Sequence, residues 1–279
     1  MEKISHYILH ETIRKSRNSV TYRGHKENEV QPVIIRLLRT IDATPSEIAQ
    51  FRQEYEFIKN LDVQGVIKTI DIIHDEGGFA LVMEDFAGIP LKDYFDSERP
   101  LNLKTFLALS AGIAEILGNV HARGLIHRNI KPTTILIHPD TRIIKLTDFG
   151  ASATLTHEND EVYHADFIKN VLTYMSPEQT GRVNRPVDYR TDFYSLGVAL
   201  YEIITGLPPF QSQDPMELIH AHIAMMPEAP VKLNPDIPEI VSDIIIRLLA
   251  KNPEARYQNG FGLEADFRTC IKQLEKNKK

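Results

Sequence analysis

The chain of 279 residues is long enough for one large domain or two lobes, and its 42% hydrophobic and 25% charged residues are typical of a globular protein. A net charge of −6 argues against a nucleic-acid-binding surface. The amino terminus lacks an apolar signal region, polar residues interrupt every long apolar stretch, and the single cysteine, Cys270, excludes an intramolecular disulfide. We therefore expect a cytoplasmic protein without nucleic-acid or membrane partners.

The first part of the chain, up to about residue 84, has the pattern of β-strands. Five strands are predicted, at residues 7–13, 19–24, 32–38, 66–73 and 79–84. One helix interrupts them, because residues 44–47 form a capping box with Pro45 at the first helical position, and apolar residues then recur at helical spacing. This pattern predicts a small lobe of five strands and one helix.

From about Pro90 the hydrophobic periodicity becomes helical. Asn102 is a candidate N-cap for a helix that ends near Gly124. Further helices are predicted at residues 192–205, 216–225, 240–250 and 262–274. His220 and His222 are two residues apart on one of these helices and point to different faces, so we interpret them as surface residues rather than as metal ligands.

Two motifs in the helical part carry a resemblance to a known family. The run H-R-N-I-K-P-T-T at residues 127–134 is followed by D-F-G at residues 148–150. They resemble the catalytic loop and the metal-binding motif of serine/threonine protein kinases, in which H-R-D-L-x-x-x-N supplies a catalytic aspartate and a magnesium-binding asparagine. In this sequence Asn129 and Thr134 occupy those two positions, with Lys131 between them.

These substitutions change the chemistry that the resemblance implies. A carboxamide such as that of Asn129 orients a hydroxyl group but has no basic site near neutral pH. The hydroxyl of Thr134 is a poorer magnesium ligand than an asparagine oxygen. The resemblance therefore implies a degenerate catalytic loop at Asn129 and Lys131, with Asp148 as the main metal ligand and Thr134 as a weak or lost one.

The resemblance extends from residue 7 to about residue 274 through further motifs in the kinase order. Glu54 matches the glutamate of kinase helix C. The segment from Met83 to Phe86 matches the kinase hinge, in which the backbone at Glu84 and Phe86 would contact adenine and Met83 would be the gatekeeper. Leu136 completes the implied nucleotide-binding set. In the second half, Glu178 of a Ser-Pro-Glu run matches the A-P-E motif, Arg256 matches the arginine that pairs with it, and Asp192 matches the aspartate that braces the catalytic loop.

The resemblance implies a two-lobed, protein-kinase-like α+β fold. A single domain would cover residues 1–279, with the N-lobe at 1–86 and the C-lobe at 87–279. Residues 174–185 are more narrowly similar to the kinase-like modules that open large bacterial signalling proteins, ahead of an ATPase module and a sensor histidine kinase.

Other departures from the kinase pattern lie where a nucleotide would bind. The glycine-rich loop aligns with residues 14–19, which contain no glycine, although close backbone approach to phosphate requires residues without a β-carbon. Arg36 replaces the lysine of V-A-I-K and is expected to form a salt bridge with Glu54, and Ile34 replaces the alanine and narrows the adenine site. Residues 170–171 are Asn-Val where kinases usually have Gly-Thr.

Together these departures predict a pseudokinase: a signalling module with lost or severely impaired catalysis that acts by binding protein partners or adjoining signalling domains. ATP and magnesium are expected to bind weakly or not at all. The alternative is an ATP-dependent serine/threonine protein kinase with residual activity, because phosphoryl transfer depends on positioning and charge neutralisation more than on proton abstraction.

Overall fold

The computed structural model describes residues 2–15, 19–38, 45–59, 61–75, 78–151, 153–154 and 172–276. The chain forms two compact units: unit 1 comprises Met1–Gly88 and Thr147–Ala151, and unit 2 comprises Ile89–Leu146 and Ser152–Lys279. The D-F-G motif therefore belongs to unit 1, whereas the prediction of two consecutive ranges had assigned it to the second lobe.

Unit 1 is built on a six-stranded antiparallel sheet in the order β1-β2-β3-β4-β6-β5. Its strands are β1 Glu2–Ile4, β2 Tyr7–Lys15, β3 Ser19–Lys26, β4 Pro32–Leu38, β5 Thr69–Asp75 and β6 Gly78–Glu84. The five predicted strands are all present, and β1 is a sixth. Three residues are too short to show an alternating pattern, and β1 is defined by its pairing with β2.

One helix, α1 Pro45–Lys59, packs on β5 and β6 in unit 1. Strand β6 is buried along nearly its whole length because it lies between β4 and β5 and under this helix. Thr44 of the predicted capping box lies outside the described residues. The helix itself was predicted from the spacing of its apolar residues.

Unit 2 is mostly helical. In the described residues its helices are α2 Leu91–Ser97, α3 Leu103–Ala122, α4 Arg190–Thr205, α5 Pro215–Ala224, α6 Pro230–Leu233, α7 Glu239–Leu248 and α8 Gly260–Lys276. Short strands are β7 Ile89–Pro90, β8 Leu125–Ile126, β9 Ile135–Ile137, β10 Ile144–Leu146 and β11 Ala153–Thr154. The sequence did not predict α2 or α6, because both are short and α6 lies within a proline-rich stretch.

The core of unit 2 forms where α3 packs against α8. The predicted N-cap is confirmed, since the side chain of Asn102 accepts a hydrogen bond from the Thr105 backbone at 3.0 Å. A β-carbon at Gly260 would lie only 2.3 Å from the Ala114 carbonyl oxygen, so the close helix crossing requires glycine there. Within the described residues, α3 is the one helix long and apolar enough to cross a membrane, and 61% of its most apolar window is buried in this core.

A buried ion pair connects two distant segments of unit 2. Arg256 donates from Nη1 to Glu178 Oε1 at 2.6 Å and from Nη2 to Glu178 Oε2 at 2.8 Å. Its remaining donors reach the backbone carbonyls of Ala250, Arg190 and Lys251. The predicted pairing is therefore confirmed, and each charged group is hydrogen-bonded, as a buried ion pair requires.

The structure corrects the interpretation of His222. His220 is exposed, but the side chain of His222 is buried and its Nδ1 lies 3.0 Å from the Tyr194 hydroxyl. The ammonium group of Lys251 donates to the carbonyl oxygens of Ala221 and His222 at the end of α5. Burial and this neighbouring charge lower the pKa of His222 to about 3.

We expect the buried His222 to make the protein less stable in acid. Its pKa is lowered in the folded state, so the stabilisation is complete above about pH 6.5, the ordinary value, and is lost as the pH falls towards about 3. Between these limits the unfolded state binds one more proton, which removes up to ~1.4 kcal/mol of unfolding free energy per pH unit.

Urea denaturation between pH 7.5 and pH 4 measures this effect. A His222→Gln variant, which does not titrate, should lose less stability over that range than the wild type. His220→Gln, on the exposed face of the same helix, is the matched control and should retain the wild-type slope. Parallel curves for the wild type and His222→Gln would contradict the prediction.

Candidate functional site

Asp192, at the start of α4, hydrogen-bonds the backbone of the loop at residues 127–134. Its fully buried carboxylate accepts hydrogen bonds from the backbone N–H groups of His127 and Arg128, both at 2.8 Å, and lies 2.8 Å from His121 Nε2. Burial alone would raise the pKa of Asp192, but the hydrogen bond and charge of His121 outweigh it and lower the pKa. The predicted bracing role of Asp192 is confirmed.

The backbone of the loop passes through a left-handed conformation at Arg128, which has a φ of 62°. This region costs a residue with a β-carbon ~1–2 kcal/mol, so surrounding hydrogen bonds must hold it. Gln179 Nε2 donates to the Arg128 carbonyl at 3.0 Å, and the next backbone N–H, that of Asn129, donates to His127 Nδ1 at 3.2 Å. Asn129 is therefore set in position by bonds to its own backbone and its neighbour's.

The side chain of Thr134 hydrogen-bonds the backbone of its own loop. Its buried hydroxyl donates to the carbonyl oxygen of Asn129 at 2.8 Å and accepts from the backbone N–H of Lys131 at 3.2 Å. These two bonds use the proton and one lone pair of the hydroxyl. Asn129 and Lys131 line one small cleft together with Tyr174 and Met175. Unit 2 thus brings together three of the predicted site residues: Asn129, Lys131 and Thr134.

Unit 1 brings together three other predicted site residues: Glu54, Asp148 and Arg36, which lies on β4. Nη2 of Arg36 donates to Glu54 Oε2 on α1, and Nη1 donates to Asp148 Oδ1 at 2.9 Å. The guanidinium carbon lies 4.6 Å from the centre of the Phe51 ring. The predicted salt bridge between Arg36 and Glu54 is confirmed, and the bond to Asp148 was not predicted.

Glu54 is the buried member of this network and Arg36 is mostly buried, and all three charged groups interact electrostatically. Burial alone would lower the pKa of Arg36, but the charges of Glu54 and Asp148 outweigh it and raise the pKa, so the guanidinium stays charged. Burial and the nearby Asp148 raise the pKa of Glu54 against the effect of Arg36. Among the described residues, Arg36 Nε and Glu54 Oε1 are buried without a hydrogen-bond partner, and such atoms cost ~1–3 kcal/mol each.

The predicted hinge residues lie at the end of β6 and just beyond it. Met83 is buried and pairs with Ile34 of β4. Glu84 makes two bonds with Lys68: its backbone N–H donates to the Lys68 carbonyl at 3.0 Å and its side chain accepts from the Lys68 N–H at 2.7 Å. Phe86 is partly buried. Contact of the backbone at Glu84 and Phe86 with adenine, and the gatekeeper role of Met83, stay predictions.

Sequence reasoning missed the ion pair that fixes this segment. Arg23 on β3 donates from Nε to Asp85 Oδ2 at 2.6 Å and from Nη1 to Glu11 at 2.9 Å. Asp85 also accepts from the Ala87 backbone N–H at 2.9 Å. Only the sheet order brings these residues together, so no sequence pattern could have identified the pair. Leu136, the remaining predicted nucleotide-binding residue, lies on β9 in unit 2, where it pairs with Pro90 and Lys145.

Comparison with known proteins assigns the family. The model of the protein kinase domain matches residues 7–267. The chain belongs to the protein kinase domain family. It is 30% identical over 274 residues to a probable serine/threonine-protein kinase of Clostridium perfringens, covering 98% of this chain and 38% of that protein. The serine/threonine-protein kinases PrkC of Bacillus subtilis and PknB of Mycobacterium tuberculosis are each 30% identical, over 88% and 84% of this chain and 38% of theirs.

Membership of the kinase family confirms the predicted α+β fold with a small sheet lobe and a larger helical lobe. The chain spans about two fifths of the length of the curated relatives it matches. Two predicted departures, at residues 16–18 of the glycine-rich loop and at residues 170–171, lie outside the described residues.

Kinases use ATP together with magnesium, which an aspartate and an asparagine hold. In this kinase domain the aligned residues fit a magnesium ion poorly. Asp148 is bonded to a guanidinium, and the hydroxyl of Thr134 is bonded inside its own loop. Magnesium prefers several oxygen ligands in strict octahedral geometry, and Arg36 already engages Oδ1 of Asp148.

Proposed function

We propose that this kinase domain is a regulatory module of the cytoplasm, with lost or strongly reduced phosphoryl transfer, that acts by binding a protein partner or an adjoining signalling domain. One observation carries the proposal. Asn129 stands where kinases have their catalytic aspartate, in a loop that Asp192 and Gln179 otherwise hold firmly. The scaffold is retained, but a carboxamide cannot accept the proton of a substrate hydroxyl.

The expected loss is large. General-base catalysis typically contributes ~10²- to 10⁴-fold, so kinase turnovers of ~1–100 s⁻¹ would fall to ~10⁻⁴–1 s⁻¹ from this change alone. The glycine-free loop and the bond between Arg36 and Asp148 act on the same reaction, although effects of residues that act as a unit do not add.

The second candidate is a serine/threonine protein kinase with residual activity. The comparisons favour it over the first, because the three relatives described above are named serine/threonine kinases. The buried Glu178–Arg256 pair and the lysine of the catalytic loop, Lys131, are also present. Asn129 would then position the substrate hydroxyl without deprotonating it.

Millimolar Mg-ATP is expected to shift the thermal melt of the wild type little or not at all. A ligand at 100 times its dissociation constant stabilises the folded state by ~2.7 kcal/mol, enough to raise the melting temperature of a domain of this size by several degrees. Differential scanning calorimetry measures the shift, and transfer of radiolabelled phosphate to the protein and to a generic substrate measures activity.

Asp148→Ala is the control for the transfer assay. A clear melt shift with phosphate transfer that Asp148→Ala abolishes would reject the regulatory module and establish the residual kinase. A melt shift without transfer would leave the proposed function in place and identify ATP as a ligand that the module senses.

A further inference from the structure

The side chain of Asp148 has a positively charged partner inside its own unit. Arg36 Nη1 donates to Asp148 Oδ1 at 2.9 Å, while Nη2 of the same guanidinium bonds Glu54. The Arg36 and Glu54 side chains are 15% and 1% exposed, and that of Asp148 is 36% exposed. A cation of the protein therefore already occupies one oxygen of the carboxylate that the kinase family uses for magnesium.

The segment that carries Asp148 is fixed at more than this one bond. The backbone N–H of Phe149 hydrogen-bonds the Glu54 carboxylate, and Phe149 itself is fully buried. Asp148 has a φ of 67°, a left-handed conformation that persists only when its surroundings impose it. Glu54 and Arg36 together thus hold both the backbone and the side chain of the D-F-G segment.

The simultaneous bonds to Glu54 and Asp148 depend on arginine at residue 36. A guanidinium presents separate Nη groups in a rigid plane, so one side chain can donate to two carboxylates at once. The Phe51 ring lies against that plane and fixes its orientation. A lysine ammonium is a single nitrogen on a shorter, flexible stem, and it does not offer two separated donors in a fixed plane.

We infer that Arg36 replaces the magnesium ion as the partner of Asp148, so that a divalent cation does not bind at this carboxylate and does not strengthen nucleotide binding. The two carboxylates share one guanidinium, whose charge a dication on Asp148 would oppose at close range. The inference deepens the proposed function and rests on it, since a module that does not transfer phosphate does not require the metal.

Binding of Mn²⁺, followed by the electron paramagnetic resonance signal of the free ion, tests the inference without measuring activity. The wild type and Asp148→Asn are expected to bind Mn²⁺ equally, with or without ATP, because no Mn²⁺ binds at Asp148 in the wild type. Arg36→Lys should gain Mn²⁺ binding at Asp148, with an affinity ~10- to 100-fold above the upper limit measured for the wild type, the range by which neighbours of metal ligands change affinity. Combining Arg36→Lys with Asp148→Asn should abolish that gain.

Arg52→Lys is the matched control. Arg52 lies on the same helix as Glu54, and its guanidinium lies over the Phe79 ring, 5.0 Å from the ring centre, so this variant should behave as the wild type. The inference would be overturned if the wild type bound Mn²⁺ and Asp148→Asn abolished that binding. This comparison does not depend on whether an Arg36 variant folds. Equal Mn²⁺ affinity of the wild type and a folded Arg36→Lys would also overturn it.

The outcomes separate this inference from the proposed function. Phosphate transfer by the wild type that continues in excess EDTA would reject the proposed function and support the inference. Mn²⁺ binding at Asp148 without phosphate transfer would reject the inference and leave the proposed function standing.

Discussion

Arg256→Ala is expected to lower the free energy of unfolding by ~3–5 kcal/mol, the usual cost of leaving one member of a buried ion pair alone. Glu178 would keep a buried charge with, among the described residues, only the hydrogen bond from Thr191 Oγ1, at 3.1 Å, and three backbone carbonyls would lose a donor. Because domains are stable by only ~5–15 kcal/mol, this loss is a large part of the total. Urea denaturation followed by circular dichroism measures it.

Arg185→Ala is the control for this experiment. Arg185 also bonds a glutamate, Glu254 at 2.6 Å, but both side chains are about half exposed. An exposed pair contributes ~0–1 kcal/mol, so the control should unfold close to the wild type. A loss below ~1 kcal/mol for Arg256→Ala would contradict the role that we assign to the buried pair.

Restoring the three degenerate motif positions is expected not to restore catalysis. The triple variant carries Asn129→Asp, Thr134→Asn and Arg36→Lys. It regains the base at residue 129 and the asparagine metal ligand at residue 134, and it keeps Asp148. The three positions of the loop at residues 14–19 that are glycine in kinases still carry a β-carbon, and these β-carbons prevent close approach of the phosphates to the backbone. Transfer of radiolabelled phosphate should stay at the wild-type level.

Three glycines in the loop at residues 14–19 are expected to increase phosphoryl transfer by the triple variant. Adding Arg14→Gly, Ser16→Gly and Ser19→Gly should raise its transfer rate by ~10²- to 10⁴-fold, since the restored base can then act on a correctly placed phosphate. The same glycines in the wild-type background, with Asn129 retained, are the control and should give no such gain. Transfer at ~1 s⁻¹ by the triple variant alone would show that the loop is not the barrier.

Much of the fold and of the site could be predicted from the sequence, because the signals are local or belong to a familiar order of motifs. Strand β4 has the predicted bounds, and the cap at Asn102 forms as its side-chain chemistry requires. The pairing of Arg256 with Glu178 was predicted from motif order across 78 residues. The chemical deficiency of Asn129 is a property of its side chain and needs no coordinates.

Only the tertiary structure decided which charged side chains pair with one another. Arg36 and Asp148 are 112 residues apart, and they meet because the D-F-G segment returns to unit 1 beside α1. Arg23 and Asp85 meet through the order of the sheet, and His222 is buried through the packing of α5. A sequence pattern specifies which face of an element is apolar, but which element covers that face, and which polar atoms are buried with it, depends on the packing of the whole unit.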